Sequence, residues 1–335
     1  MSNQEIQSAF DRFSRLRVMV IGDVMVDAYI FGKVERISPE APVPVVSVEQ
    51  RVNRLGGAAN VALNLKSLGA EPVLCSVIGN DSKGIDFMNL LAREEIAQDA
   101  ILTSTERITT TKYRIIGNKS QMLRVDEEVT TELNADDRSM LLEKITGILQ
   151  GQKIDAIIFQ DYDKGVLTKD VISKVTDLAT GLKIPVAVDP KRRNFLNYRG
   201  ATLFKPNFKE LREGLNYEIN PDRTGELNQA AIRLHREYEI NTVMVTLSDR
   251  GIFISRNRGD GGYDQKFIPA HIRKISDVSG AGDTVISVAT LGLAAHLDSG
   301  LMAALANLAG GLVCEEVGVQ PVSRLKLMSE AEMLF

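Results

Sequence analysis

A glycine-rich turn followed by an apolar helix is the feature of this sequence best suited to chemistry. It reads Asp277-Val278-Ser279-Gly280-Ala281-Gly282-Asp283-Thr284. Gly280 and Gly282 let the backbone approach a ligand closely, and the first N–H groups of the helix would point at that ligand with the positive end of the helix dipole behind them. This predicts an anion hole. Asp283 would repel an anion, but it could accept the proton of a hydroxyl that attacks the anion. The plainer alternative is an aspartate at a helix start.

Two polar residues one helical turn apart, Asn207 and Glu210, form a second candidate site. They could order the water shell of a magnesium ion, which commonly keeps several waters and few protein ligands. The same spacing predicts a capping box, with Asn207 as the N-cap of a helix and Glu210 as its third residue. Spacing alone favours the capping box.

Two further segments contain groups suited to a phosphorylated sugar. Gly56-Gly57-Ala58-Ala59-Asn60 offers backbone N–H groups and one amide at a helix start, which suit hydroxyls, and close helix packing would explain the glycines equally well. Lys112 and Arg114 lie on one face of a predicted strand, with Tyr113 on the other, so the two cations could hold a phosphate. A solvated strand face is the more frequent reason for such a pattern.

The elements that must position these residues alternate between strands and helices. Short apolar runs predict strands at 17–22, 73–78, 154–159, 185–188, 202–205 and 242–247. Helices are predicted at 81–95, 135–149, 169–180, 227–238, 283–296 and 300–317. Uninterrupted apolar strands are typical of a parallel sheet covered by helices, so we expect a doubly wound α/β fold. Ligands bind beyond the carboxyl ends of such strands, where the sequence places Asp23, Asp27, Asp161, Asp189, Asn207 and Ser248–Gly251.

Two stretches leave this alternation. Residues 28–54 contain Pro39, Pro42 and Pro44, which forbid helix and favour extended backbone. Residues 109–126 read as two short strands, and a further small β region is expected at 252–269. No linker or repeat divides the chain, so we expect a single domain over residues 1–335.

Composition excludes several classes of protein. With 40 Lys and Arg against 44 Asp and Glu, the net charge is −4, so no basic excess is available to coat a nucleic acid. The 3 His and 2 Cys form no zinc motif, and P-loop, GxGxxG and protein-kinase motifs are absent. No apolar run reaches the roughly 20 residues of a membrane span, and the N-terminus does not resemble a signal peptide. We therefore expect a cytoplasmic protein without a membrane partner.

Together these segments resemble the ribokinase-like, PfkB-type carbohydrate kinases over nearly the whole chain. The segments concerned are 56–60 and 277–284 for the family's two signatures, Asn207–Glu210 for its NxxE motif, and Thr246–Gly251 for its adenine-nucleotide loop. Within the family, kinases acting on D-glycero-D-manno-heptose 7-phosphate are the most similar, through residues 21–27, 36–46, 161–165 and 189–191. The resemblance implies ATP-dependent phosphorylation of the anomeric C1 hydroxyl, giving the 1,7-bisphosphate on the way to ADP-heptose.

The resemblance also implies a role for each matched residue. Asp283 would be the base, and the N–H groups of Gly280, Ala281 and Gly282 would stabilise charge on the transferred phosphoryl group. The base needs no raised pKa, because the proton of the nucleophile leaves late. The residues implied at the nucleotide site are Asn207, Glu210, Thr246, Ser248, Gly251 and Asn307, with Glu210 acting on Mg²⁺ through water. Those implied at the sugar site are Asp23, Asp27, Gly56, Gly57, Asn60 and Asp161, with Lys112 and Arg114 for the 7-phosphate.

Further expectations follow from the same resemblance. Asp277 and Ser279 match positions that bind a monovalent cation in many relatives, which adds potassium to ATP and Mg²⁺ as an implied cofactor. The family covers its sugar site with a β lid that excludes water, so we expect a lid formed by insertions at about 28–54 and 109–126 and a homodimer through that lid. Many heptose kinases are fused to an adenylyltransferase with an HxGH motif, which no histidine here forms, so that activity is expected in a separate protein.

Two alternatives stay open. One is a kinase of the same fold for another sugar, such as ribose, fructose or a hexose phosphate. The other is a sugar-sensing protein that keeps the fold without turnover, which the intact Asp283 and glycine turn disfavour.

Overall fold

A computed structural model of the protein describes residues 3–220, 223–271 and 273–335. The helices are α1 (Asn3–Phe13), α2 (Ala58–Ser67), α3 (Ser82–Arg93), α4 (Ala135–Gly151), α5 (Lys169–Leu182), α6 (Phe208–Leu215), α7 (Thr224–Tyr238), α8 (Ala281–Ala294), α9 (Ser299–Val313) and α10 (Arg324–Leu334). The strands are β1 (Arg17–Gly22), β2 (Val24–Ile37), β3 (Pro44–Gly57), β4 (Glu71–Gly79), β5 (Ile101–Ser104), β6 (Thr111–Gly117), β7 (Ser120–Glu127), β8 (Ala156–Gln160), β9 (Val186–Asp189), β10 (Leu203–Phe204), β11 (Thr242–Thr246), β12 (Ile252–Asn257) and β13 (Tyr263–Ile268). In these described ranges, no helix has both the length and the apolar character needed to cross a membrane.

Nine strands form the central sheet, in the order β13-β12-β11-β10-β9-β8-β1-β4-β5. Neighbouring strands run parallel from β11 to β5, while β12 and β13 are antiparallel additions at one edge. Helices cover both faces, so the central strands are apolar on both sides. On β8, Ala156 and Ile158 pack into the core beneath α2, α8 and α9, whereas Ile157 and Phe159 pack into the core beneath α4, α5 and α7. The expected doubly wound α/β fold is confirmed.

The other four strands form a second sheet, in the order β3-β2-β6-β7. They contain the two stretches expected as insertions and extend beyond them, since β2 begins at Val24 and β3 ends at Gly57. The second sheet is bonded to the loop after α9. The Tyr29 hydroxyl accepts the N–H of Val319 at 3.2 Å, and Arg54 donates to the carbonyls of Val317 and Val319 at 3.2 and 3.0 Å.

Most predicted elements are present with boundaries moved by a few residues. The predicted start of α2 at Gly56 is wrong. Gly57 has a φ of 62°, a left-handed value that ends β3 and turns the chain, so the helix begins at Ala58. The sequence pattern does not predict β5 or α10, whereas α6 begins directly after Asn207, the N-cap expected from the capping box.

Candidate active site

The glycine-rich turn forms the start of α8 and packs closely against neighbouring groups. Gly280 is the N-cap, with a φ of 81°, and a Cβ at this position would lie 2.9 Å from Nδ2 of Asn60. The first N–H groups of a helix have no partner within it. The ammonium of Lys205 lies next to this turn, 3.7 Å from where a Cβ of residue 282 would stand. A helix N-terminus and a buried cation thus meet at the place expected to bind an anion.

Asp283 is buried behind this turn and accepts three side-chain hydrogen bonds. Oδ1 accepts from the Tyr162 hydroxyl at 2.6 Å and from Nε2 of Gln160 at 3.0 Å, and Oδ2 accepts from Nδ2 of Asn60 at 2.8 Å. Burial raises the pKa of Asp283 to about 6, against the opposing effect of the bonds from Asn60 and Tyr162. The reaction does not require a raised pKa, but this value keeps Asp283 ionised and basic near pH 7. Asn60, expected at the sugar, donates to Asp283.

Three neighbouring strands each end in a polar side chain close to Asp283. Gln160 ends β8, Asp189 ends β9, and Lys205 follows β10. Nζ of Lys205 lies 3.0 Å from Oδ2 of Asp189, and both side chains are buried. Nε2 of Gln160 bridges Asp283 and Asp189, at 3.0 and 3.3 Å. The carboxyl edge of the sheet therefore presents an alternating set of donors and acceptors behind the anion hole.

A cavity of about 910 Å³ opens on the other side of the glycine-rich turn. Ala281 and Gly282 form part of its wall, so the anion hole faces into it. Five of the six residues expected at the nucleotide also line it, namely Asn207, Thr246, Ser248, Gly251 and Asn307. Gly251 has a φ of 100°, and a Cβ there would lie 2.1 Å from the carbonyl oxygen of Ile268, so only glycine fits this turn. The cavity has the size of a nucleotide site.

The sixth residue expected at the nucleotide, Glu210, does not line the cavity. The N–H of Glu210 donates to Oδ1 of Asn207 and the N–H of Asn207 donates to Oε2 of Glu210, each at 2.8 Å, which confirms the capping box. The other carboxylate oxygen of Glu210 contacts the ammonium of Lys191. Burial alone would lower the pKa of Lys191, but the charges of Asp189 and Glu210 raise it overall.

Two aspartates expected at the sugar are occupied by other groups of the chain. Asp23 is buried and accepts the backbone N–H groups of Tyr162, Lys164 and Val166 at 2.9, 3.1 and 3.0 Å, which fixes the loop after β8. Asp161 accepts from the Tyr198 hydroxyl at 2.7 Å and from Asn194 at 3.2 Å. Burial, with the charge of Asp23, raises the pKa of Asp161 to about 6.

The inner face of the second sheet carries paired charges. Arg114 contacts Asp27, and burial raises the pKa of Asp27 while the Arg114 charge opposes this. Nζ of Lys112 lies 3.0 Å from Asp126 and 3.5 Å from Glu128. The two cations do share a face, as predicted, but each already has a carboxylate partner.

The glycines at the end of β3 allow close approach to two aspartates. A Cβ at Gly56 would lie 2.3 Å from Oδ2 of Asp27, and one at Gly57 would lie 2.4 Å from the carbonyl oxygen of Asp23. These glycines therefore bring the two strands together.

The two residues expected at a monovalent cation form a tight turn before α8. Oδ1 of Asp277 accepts the N–H of Ser279 and Oδ2 accepts the N–H of Gly318, each at 2.9 Å. Burial would raise the pKa of Asp277, but these hydrogen bonds lower it overall, so the carboxylate stays ionised. Within the described residues, no group of three or more His, Cys, Asp or Glu side chains is arranged to hold a metal ion.

Comparisons with known proteins agree with this geometry. The sequence profile described as pfkB family carbohydrate kinase matches residues 15–325. The chain belongs to this family. A D-beta-D-heptose 7-phosphate kinase of Bordetella bronchiseptica is 40% identical over 96% of this chain and 98% of that protein. The bifunctional protein HldE of Geotalea uraniireducens is 38% identical over 98% of this chain, which spans 66% of the length of HldE. The crystal structure of phosphofructokinase-2 from Escherichia coli in complex with potassium shares the fold, with a TM-score of 0.77 at 20% identity over 94% of this chain and 99% of that one.

This PfkB-family chain is thus an ATP-dependent carbohydrate kinase. Around Asp283, sequence reasoning misses Gln160, Tyr162, Lys191 and Lys205, and it notes Asp189 only as a residue after a strand. The signal that could have found them is position, since each lies at or just beyond the carboxyl end of a strand.

Proposed function

We propose that this kinase transfers the γ-phosphoryl group of ATP to the C1 hydroxyl of D-glycero-D-manno-heptose 7-phosphate. The observation that carries the chemistry is the buried carboxylate of Asp283 in the first turn of α8, next to Ala281 and Gly282, which line the nucleotide-sized cavity. The sugar is inferred from the name of the Bordetella relative, which this chain matches over nearly the full length of both proteins.

In the proposed reaction, Asp283 accepts the proton of the C1 hydroxyl as its oxygen bonds to the γ-phosphorus. The bond between the γ-phosphorus and the oxygen bridging to the β-phosphate breaks, and ADP leaves. The N–H groups of Gly280, Ala281 and Gly282, together with the nearby ammonium of Lys205, stabilise the charge on the group in transfer. Because these groups are fixed by the helix and the sheet, little reorganisation is needed at the moment of transfer.

The residues beside the anion hole fit a magnesium ion held through water. Oδ1 of Asp189 is buried without a hydrogen-bond partner among the described residues, and both carboxylate oxygens of Glu210 contact other groups of the chain. Asp189 would accept from the water shell of the ion through its unpartnered oxygen, and Glu210 would do so through the second acceptor position of an oxygen that already has one partner, since magnesium keeps several of its waters. When bound, the ion neutralises charge on the ATP phosphates. We place potassium at Asp277 and Ser279, because the Asp277 carboxylate stays ionised beside the anion-hole turn.

For the substrate 7-phosphate we propose Lys112 and Arg114, which face the same side of the second sheet as Asp27. Their present partners, Asp126, Glu128 and Asp27, must share them with the phosphate. Because Lys112 and Arg114 are already paired with carboxylates, the structure also favours a second candidate function, phosphorylation of a sugar that carries no phosphate. In that case Lys112 and Arg114 would only order the second sheet. In both proposals, the sugar site around Asp27 would be shaped by Asp23, Gly56, Gly57 and Asp161.

We also propose that the second sheet is a lid over the sugar and that two copies of the chain pair through its outer face. On β7, Leu123 and Val125 are 56% and 43% exposed, on the face opposite to Arg124. Exposed apolar side chains on an open sheet are typical of an interface. Light scattering at micromolar concentration is expected to give the mass of a dimer, and Leu123→Glu is expected to give a monomer. A monomeric wild-type protein would contradict the proposal.

The test of function is a coupled ADP-release assay with heptose 7-phosphate and a panel of ribose, fructose and hexose phosphates. Asp283→Asn is expected to lose at least about 100-fold in kcat, because the base is removed. The matched control is Asp137→Asn, which removes a buried carboxylate at the start of α4 and is expected to keep its rate. Full activity of Asp283→Asn would overturn the assignment of the base, and preference for another sugar would overturn the substrate.

A further inference from the structure

The hydroxyl of Tyr162 makes the shortest of the three hydrogen bonds to Asp283, at 2.6 Å. Tyr162 lies in the loop after β8, and none of the steps described above uses it. Burial raises the pKa of Tyr162 well above 10, and the charge of Asp283 raises it further. The hydroxyl therefore keeps its proton near neutral pH, where it donates to the carboxylate.

The three donors leave one position open on the carboxylate. An ionised carboxylate has about four acceptor positions, two on each oxygen. Tyr162 and Gln160 fill both positions on Oδ1, while Oδ2 accepts only from Asn60 among the described residues. A hydroxyl that delivers its proton to Asp283 therefore has room on Oδ2 and none on Oδ1.

We propose that Tyr162 is a positioning residue, which closes Oδ1 of Asp283 and so directs the proton of the sugar hydroxyl to Oδ2. This inference rests on the proposed function of Asp283 as the base. Tyr162 acts through Asp283 and does not itself exchange a proton with the substrate.

The loop that carries Tyr162 is held in place from both sides. The backbone N–H of Tyr162 donates to the carboxylate of Asp23. The same carboxylate also accepts the N–H groups of Lys164 and Val166. The ring lies beneath the ammonium of Lys191, at 5.6 Å from its centroid. Asp23 thus contributes to the position of the base indirectly, by fixing the turn that presents the tyrosine hydroxyl.

Other charged groups also face Asp283, and their charges contribute to its pKa. The charge of Asp189 raises the pKa of Asp283 and that of Lys205 lowers it. Lys191 adds a further positive charge nearby. None of these three groups is altered by a change at Tyr162 that removes only the hydroxyl.

The test is Tyr162→Phe, which keeps the ring and removes the donor. A hydrogen bond to the charged form of a carboxylate lowers its pKa, so its loss is expected to raise the pKa of Asp283 by about one unit. The acid limb of kcat/KM against pH, measured with heptose 7-phosphate, should move up by the same amount. At pH 8, where Asp283 is largely ionised in both proteins, kcat should fall about 10-fold with little change in KM for ATP, because two donors then hold the carboxylate instead of three and Oδ1 has an open acceptor position.

Tyr198→Phe is the matched control. Tyr198 is a buried tyrosine that donates to another buried carboxylate, Asp161, at 2.7 Å. Its loss is expected to lower the melting temperature and to leave the acid limb in place. A ¹³C NMR titration of labelled aspartate gives a second measurement of the pKa of Asp283 that does not depend on turnover.

The outcomes separate this inference from the proposed function. If wild-type protein does not turn over heptose 7-phosphate, the substrate is wrong, and the titration and the pH profile with any accepted sugar still test Tyr162. If wild type is active but Tyr162→Phe keeps the acid limb, the NMR midpoint and kcat unchanged, the role of Tyr162 is refuted. A shift in Tyr198→Phe equal to that in Tyr162→Phe would also refute it, because the effect would then be general loosening.

Discussion

Replacing Asp283 by asparagine is expected to stabilise the folded enzyme while it stops catalysis. Asp283 is 4% exposed, and burial raises its pKa from 3.8 to about 6. Because the folded-state pKa exceeds the unfolded value, unfolding releases a proton between these values, so the contribution of Asp283 to stability is greatest below pH 3.8 and is lost as the pH rises through 6. One pKa unit corresponds to about 1.4 kcal/mol, so the burial of the ionisable carboxyl costs about 3 kcal/mol at pH 8 and about half of that at pH 5.

Asparagine can keep most of the hydrogen bonds of the carboxylate. Its oxygen can accept from Asn60 and its amide can donate to the oxygen of the Tyr162 hydroxyl, whereas the bond from Nε2 of Gln160 is lost because two donors would then face each other. The weaker neutral bonds lose about 1 kcal/mol. The net gain is therefore about 2 kcal/mol at pH 8 and less than about 1 kcal/mol at pH 5. With an unfolding entropy of about 2.1 cal/mol/K per residue, the larger gain raises the melting temperature by about 3 °C.

The assay is differential scanning calorimetry of wild type and Asp283→Asn at pH 8 and pH 5. The variant should melt higher at pH 8, and its advantage should shrink at pH 5. Asp137→Asn is the control, since it removes a buried carboxylate that accepts from Ser104 and Asn134 outside the site, and it should melt lower than wild type. Equal shifts at the two pH values, or a lower melting temperature at pH 8, would refute the argument from burial of the charge.

Two further outcomes are expected from single substitutions. Gly251→Ala should raise KM for ATP at least about 10-fold, because its Cβ would meet the Ile268 carbonyl. The control is Gly259→Ala, which has a φ of 83° in open space and should leave KM unchanged. Equal KM values in the two variants would contradict this prediction. Asp27→Asn should lose about 1–3 kcal/mol in urea unfolding, because losing the charge partner of Arg114 outweighs the relief from burying the Asp27 carboxylate, and a stability equal to that of wild type would show that it does not.

The chemistry of the turn before α8 could be predicted from sequence because its parts are adjacent in the chain. Glycines, a helix start and one carboxylate within eight residues are enough to indicate an anion hole beside a base. The partners of that base could not be predicted. Asn60 and Tyr162 reach Asp283 across 223 and 121 residues of sequence, and only the pairing of strands brings them together.

The second sheet shows the same limit. The alternation of side chains along β6 correctly places Lys112 and Arg114 on one face. It contains no information about β2 and β7, which supply the carboxylates of Asp27 and Asp126. Strand register decides which charges become partners, and register depends on contacts between segments distant in sequence.

The distances between Gln160, Asp189 and Lys205 are set by the hydrogen bonds of the sheet. Gln160 pairs in register with Asp189, and β9 pairs in turn with β10, whose last residue precedes Lys205. Adjacent strands lie about 4.8 Å apart whatever connects them. The connections through α5 and through residues 190–202 could therefore lengthen or shorten without moving these three groups. Insertions there should be tolerated far better than a single deletion inside β8 or β9, which would turn a polar group of the site to the opposite face.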